Sequence, residues 1–127
     1  MKELEKKIHQ FLKVRKWDNL RPSDLAKSIM IEGAELLELF QWENLLLKDV
    51  KKNEEKLKEI KKELADVLIY AIQMSVLLGF DTQKIIYDKI AHVDKKYPAA
   101  VVKNRFRDAK SNSNYWRIKK EYRKKGL

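Results

Sequence analysis

The chain has no cysteine, which removes disulfides, thiolate zinc sites and cysteine nucleophiles together. Three glycines and two prolines in 127 residues are too few for a β-sandwich or barrel, whose turns need frequent punctuation. Two histidines, His9 and His92, cannot supply a histidine-rich metal site. The start, Met1-Lys-Glu-Leu-Glu-Lys-Lys, mixes charged and apolar residues and has no continuous apolar region of the kind a signal peptide requires. The single long apolar run, Leu64 to Phe80, spans 17 residues and carries Asp66, Gln73 and Ser75. It is short for a membrane span, and an aspartate is expensive in lipid. It reads as a core helix, and the chain as a cytoplasmic protein without a membrane partner. Carboxylates, lysines and aromatics are left to do any chemistry.

What the chain has is 44% hydrophobic and 38% charged residues, the balance of a compact helical protein with a heavily solvated exterior. One domain of this length buries roughly two-thirds of its unfolded surface. The net charge of +10 is unevenly spread. From Lys103 to Leu127, ten Lys/Arg face only Asp108 and Glu121, whereas the first 102 residues hold 19 basic and 17 acidic groups. This divides the chain into a near-neutral body, 1–102, and a basic C-terminal tail, 103–127. Such a tail can attract phosphates, but a solvated terminus is the plainer reading and nucleic acid is not the expected partner.

Hydrophobic periodicity predicts four main helices, an all-α four-helix bundle. Leu4, Ile8, Phe11 and Leu12 define the first, about residues 3–17. Ser23 is expected to cap a second helix over about 24–46, striped by Leu25, Ile29, Leu36 and Leu39. The third begins near Glu54 as a charged stretch and turns apolar on every side after Leu64, which predicts that other helices enclose its second half. Gly79 suits its C-terminal cap and Asp81 the next N-cap, before a fourth helix over 82–96 that Pro98 closes. A short helix around 115–124 can occupy the tail.

Two carboxylate pairs interrupt these apolar faces. Glu32 and Glu35 lie three residues apart on the second helix, and Glu63 and Asp66 repeat the spacing on the third, so each pair shares a helix face. Glu32 breaks the apolar stripe, and Asp66 sits within Leu64-Ala-Asp-Val-Leu-Ile-Tyr70. Exposed Glu-x-x-Glu pairs are common, but a carboxylate among core residues must be protonated, paired or bound to a cation. Four acids meeting between two helices would repel one another, and Mg²⁺ or Mn²⁺, which prefer oxygen ligands, resolves that repulsion.

The phrases around these acids, Glu32-Gly-Ala-Glu35-Leu-Leu-Glu-Leu-Phe-Gln-Trp42 and Glu63-Leu-Ala-Asp66-Val-Leu-Ile-Tyr70, resemble the MazG-like nucleotide pyrophosphohydrolases, and most of all their small dCTP pyrophosphatase branch. Arg15-Lys-Trp17 with Pro22, and Lys95-Lys-Tyr97-Pro98, extend the likeness from about Phe11 to Pro98. The resemblance implies that Glu32, Glu35, Glu63 and Asp66 bind Mg²⁺ and that Trp17, Asp18 and Asn19 begin a substrate segment. It also implies that Trp42 and Tyr70 line a nucleobase pocket. The reaction it implies is Mg²⁺-dependent hydrolysis of a nucleoside triphosphate to the monophosphate and pyrophosphate, with Glu32 or Glu35 orienting or deprotonating the water. Arg21, Lys89, Lys95 and Lys96 are candidates to hold the departing phosphates. A homotetramer built as a dimer of dimers is implied as well.

The sequence departs from the family pattern at several places: Ile31 replaces a frequent Glu, Ile8 stands where a substrate-contacting His is usual, the segment between Trp17 and Pro22 is one residue short, and Val93 replaces an Asn. These changes touch base preference rather than phosphate chemistry. The competing readings are an all-α dUTPase or phosphoribosyl-ATP pyrophosphatase relative, against which Glu-Leu-Phe-Gln-Trp speaks, and a basic helical nucleic-acid-binding protein, for which a buried acidic cluster has no use.

Overall fold

The computed structural model describes residues 1–127 and contains no strand. Seven helices follow in chain order: α1 (Lys2–Val14), α2 (Pro22–Glu38), α3 (Leu47–Val50), α4 (Glu54–Leu77), α5 (Thr82–Lys96), α6 (Ala99–Val102) and α7 (Ala109–Lys124). The all-α class expected from the composition is the class adopted. Two compact units divide the chain, Met1–Thr82 and Gln83–Leu127. No single helix is long and apolar enough to cross a membrane.

In the first unit α4 is the common partner, packing most extensively against α2 and also against α1. Ile8 and Leu12 of α1 meet Ile72 of α4, flanked by Val76 and Leu77, while Leu25 is the buried anchor of α2. The expectation that α4 is enclosed after Leu64 holds on one side only. Ile72, Gln73 and Ser75 are buried, whereas Leu64, Leu68 and Ile69 remain exposed in the single chain.

Helix ends explain how the site-bearing segments are placed. α1 closes with the amides of Lys16 and Trp17 bonded to Lys13 O (3.0 Å) and Leu12 O (2.9 Å), the Schellman pattern that normally takes glycine at its left-handed residue. Here Lys16 occupies that conformation, at φ 56°. α4 ends in the same pattern with Gly79 at φ 73°, its amide and that of Phe80 returning to Val76 O and Ser75 O. Gly79 therefore fills the capping position expected of it.

α2 differs from its expected limits at both ends. It starts at Pro22, whose fixed φ suits the first helical position, so Ser23 falls inside the first turn and no side chain caps the helix. It stops at Glu38 rather than near residue 46, because Lys56 of α4 captures its end. The Lys56 ammonium donates to Leu39 O at 2.7 Å, pairs with Glu43 and sits over the Phe40 ring at 5.1 Å. Asn53 caps α4 by accepting the Lys56 amide at 3.0 Å.

The Glu5 carboxylate accepts the Thr82 amide at 2.8 Å, and the Ser75 and Thr82 hydroxyls bond at 2.7 Å. Hydrogen bonding to Glu5 from the Thr82 side chain first, and from its amide second, holds the Glu5 carboxyl below its ordinary value. In the second unit α6 packs against α7. Asp108 caps α7 by accepting from the Lys110 amide and the Ser111 hydroxyl, both at 3.0 Å. This cap starts the last helix at Ala109, six residues before the short helix anticipated around Tyr115.

Candidate active site

Facing stripes of α2 and α4 bring the acids together. Glu32, Glu63 and Asp66 each offer a carboxylate oxygen, and the three lie within 4.8 Å of one another, all half-buried. The Glu63 side chain is 14% exposed, with one oxygen 3.5 Å from Lys62 Nζ. Its other oxygen is buried and has no hydrogen-bond partner. Three anions this close, one with an orphaned buried oxygen, are uncomfortable without a counter-charge. An all-oxygen donor set of this kind fits a hard divalent cation such as Mg²⁺.

Glu35 is outside this group. It lies one turn further along α2, exposed, in a shallow groove with Ile31, Ala34, Leu37, Glu38 and Gln41.

Asp66 also lines a cavity of about 430 Å³, within the size range of small-molecule sites. Trp17, Phe11 and Leu20 close one side of it, Ile69, Tyr70 and Gln73 of α4 another, and Asp24, Leu25 and Ser28 of α2 a third. Trp17 is presented by the turn that ends α1 and rests edge-on against Phe11, with ring centroids 6.2 Å apart. Phe11 is also supported by Arg15, whose guanidinium lies 3.8 Å from the Phe11 centroid and donates to Phe11 O at 3.1 Å. An apolar ring therefore has fixed walls beside the carboxylates.

The remaining residues singled out in the sequence are distributed more widely. Asp18, Asn19 and Arg21 lie on the exposed segment between α1 and α2. Trp42 is 89% exposed on the turn after α2 and does not line this cavity. Lys89, Lys95 and Lys96 belong to α5 in the second unit; Lys89 borders an apolar groove on that helix, and the Lys96 ammonium sits over the Tyr97 and Tyr122 rings.

Sequence reasoning missed Asp24, Ser28 and Gln73. Their signal was nonetheless present. Asp24, Ser28 and Glu32 recur at i, i+4 and i+8, and Glu63, Asp66, Tyr70 and Gln73 at i, i+3, i+7 and i+10, so each set is a continuous polar stripe on one helix face.

A sequence profile described as the MazG-like family matches residues 27–110. Among solved structures, the chain is similar to a pyrophosphatase from Archaeoglobus fulgidus, with 34% identity, coverage of 77% of this chain and 92% of that one, and a TM-score of 0.68. No curated protein sequence matches the chain.

Proposed function

Because the chain belongs to the MazG-like family and so to its pyrophosphatase class of hydrolases, we propose that it is a Mg²⁺-dependent nucleoside triphosphate pyrophosphohydrolase. The proposed substrate is dCTP-like or a modified nucleotide, and the role is cleansing of the nucleotide pool. The observation that carries this reading is the junction at Asp66, which belongs both to the three-carboxylate group and to the wall of the aromatic-lined cavity.

A triphosphate is a polyanion and an acidic cluster alone would repel it. Glu32, Glu63 and Asp66 would hold Mg²⁺, which when bound supplies charge neutralisation for the phosphates and acidifies water. Trp17 and Tyr70 hold the base by stacking and enclosure, and Asp18, Asn19 and Trp42, which lie outside the cavity wall in the single chain, complete the proposed base-reading set. Asp24, Ser28 and Gln73 add hydrogen-bonding groups along the cavity wall. Water attacks the α-phosphorus, the bond between that phosphorus and the bridging oxygen breaks, and pyrophosphate leaves. The water's proton passes to a carboxylate. Glu35 is suited to that role, since it neighbours the cluster along α2 yet stays outside it; Glu32 is the alternative. Arg21, Lys89, Lys95 and Lys96 are proposed phosphate contacts.

The assembly proposed is a homotetramer, a dimer of dimers. Met30 is 72% and Leu37 68% exposed on α2, and Leu64 and Leu68 of α4 and Ile86 and Ile90 of α5 are open as well. Apolar surface of this extent usually marks an interface. Light scattering at micromolar concentration should give a mass of four chains, and a monomer would overturn the assembly.

The chemistry is tested with a panel of nucleoside triphosphates and Mg²⁺, scored for pyrophosphate against phosphate. Monophosphate and pyrophosphate in equal amounts, with a cytosine or modified base preferred, is the expected result. Release of phosphate alone, or no turnover with any member, refutes the reading.

A further inference from the structure

Charge is partitioned between the two compact units completely. Met1–Thr82 holds fifteen basic and fifteen acidic residues, whereas Gln83–Leu127 holds fourteen basic and four acidic. The entire +10 therefore resides on the smaller unit, and the unit that carries the carboxylate cluster and its cavity is neutral. Steering of a nucleotide toward that cavity does not require so concentrated a charge.

Four of these basic residues are also ordered on one face of α7. On α7, Trp116, Arg117, Lys120, Arg123 and Lys124 are all exposed, and at 3.6 residues per turn they fall within about a third of the helix circumference. Ser111 and Ile118 are buried on the opposite side. A single acid borders the face, Glu121, whose Oε1 accepts from Arg117 at 3.3 Å.

Aromatic rings are interleaved with these cations. The Arg105 guanidinium sits 3.4 Å from the Tyr115 centroid, 4.6 Å from Phe106 and 5.8 Å from Trp116. The Lys119 ammonium lies 5.0 Å from Trp116, and Tyr115 is stacked on Tyr97 at 4.8 Å. These contacts fix the framework while leaving Phe106 88% and Trp116 52% exposed. The buried Arg105 Nε has no hydrogen-bond partner.

We propose that this face of the second unit, formed by Trp116 within the basic stripe of α7 and by Phe106 just before that helix, the two rings joined through Arg105, binds single-stranded nucleic acid. Cations along the helix track the phosphate backbone, and the two open rings offer stacking faces for successive bases. A duplex hides its base faces and would leave those rings unused. An anionic membrane would attract the charge, but an interfacial helix needs a continuous apolar face, and this one carries only Trp116 and the small Ala109.

The test uses the full-length protein, labelled oligo-rU and oligo-dT of about 12 nucleotides, a length within the range that single-strand sites cover, and fluorescence anisotropy at two salt concentrations. Binding should weaken with salt, and Arg117→Gln/Lys120→Gln should reduce the log–log salt slope by about 1.4, the value for two phosphate contacts to a single strand. Trp116→Ala and Phe106→Ala should each weaken binding roughly tenfold with triphosphate turnover unchanged. Phe106 is almost fully exposed, so its variant tests the idea even where Trp116→Ala disturbs α7. Absence of single-strand binding at low salt overturns the proposal. So does equal or tighter binding to duplex or to phosphatidylserine vesicles, and so does wild-type affinity in both aromatic variants. Each of those failures leaves the pyrophosphohydrolase reading standing, because none of these residues belongs to the cluster or its cavity.

Discussion

Replacing Lys56 by Met retains most of the side-chain length and removes only the ammonium. The Lys56 side chain is 11% exposed, and its ammonium is the donor that closes the end of α2 on Leu39 O at 2.7 Å. A hydrogen bond from a charged donor contributes about 1.5–3 kcal/mol. The pair with Glu43, whose carboxylate is half-exposed, adds at most about 1 kcal/mol, and the Phe40 ring a similar amount. Against these stands the relief of no longer desolvating an ammonium. Because the Lys56 side chain is largely buried, that relief offsets part of the gain, and the net loss expected is about 2 kcal/mol. Urea denaturation at fixed protein concentration measures it, because subunit association makes stability concentration-dependent. Lys56→Arg should recover part of the loss, and Glu43→Gln should change little by itself. Stability of Lys56→Met within about 0.5 kcal/mol of wild type, the range of ordinary surface substitutions, would refute the idea that this lysine ends α2.

Glu5 is held below its ordinary value by the Thr82 hydrogen bonds, so between the folded value and the ordinary one the unfolded chain binds more protons and stability rises with pH. Its contribution should be complete at neutral pH and disappear as acid protonates the folded carboxylate; denaturation midpoints of Glu5→Gln should lie below wild type at neutral pH and converge with it in acid. A constant gap at every pH would contradict this. Lys16→Gly should stabilise the protein by about 0.5–1 kcal/mol, since the left-handed conformation strains any Cβ by about 1–2 kcal/mol and glycine's extra unfolded-state entropy returns part of that; a destabilised variant in urea would refute it. Trp17→Ala should raise KM by the equivalent of about 1–3 kcal/mol with a smaller change in kcat, and an unchanged KM would return Trp17 to a purely structural role.

The sequence made the helices legible wherever apolar spacing and a cap residue agreed. α4 begins at Glu54 and α5 at Thr82, as expected, and Gly79 ends α4, because local chemistry decides that end. α2 was misjudged at its C-terminus because its apolar spacing runs on past Glu38, while the residue that stops it, Lys56, is remote in sequence and looks like one more solvated lysine. Ser23 failed as a cap because Pro22 already provides a helical first residue. Of the candidate site, the i, i+3 spacing gave the pairs, and packing of α2 on α4 brought Glu32, Glu63 and Asp66 together while leaving Glu35 on an exposed face. Spacing alone cannot separate Glu32 from Glu35, since both fit the same helical side and only the rotation of α2 against α4 distinguishes them. The cavity needed three chain segments to meet, including the turn after α1, and no local pattern encodes such a meeting.

The central claim is that Glu32, Glu63 and Asp66 form one divalent-cation site that serves the reaction. Thermal unfolding of wild type and Asp66→Asn, with and without Mg²⁺ or Mn²⁺, tests it most directly, alongside pyrophosphate release. A cation that binds only the folded state at a hundredfold excess over its Kd stabilises by about 2.7 kcal/mol, so wild type should melt at a clearly higher temperature with metal. Asp66→Asn keeps the volume and removes one of three mutually repelling charges; it should fold, melt at or above the wild-type temperature in chelator, lose most of the metal-induced shift and lose turnover. An Asp66→Asn protein that retains both the shift and the turnover would contradict the account.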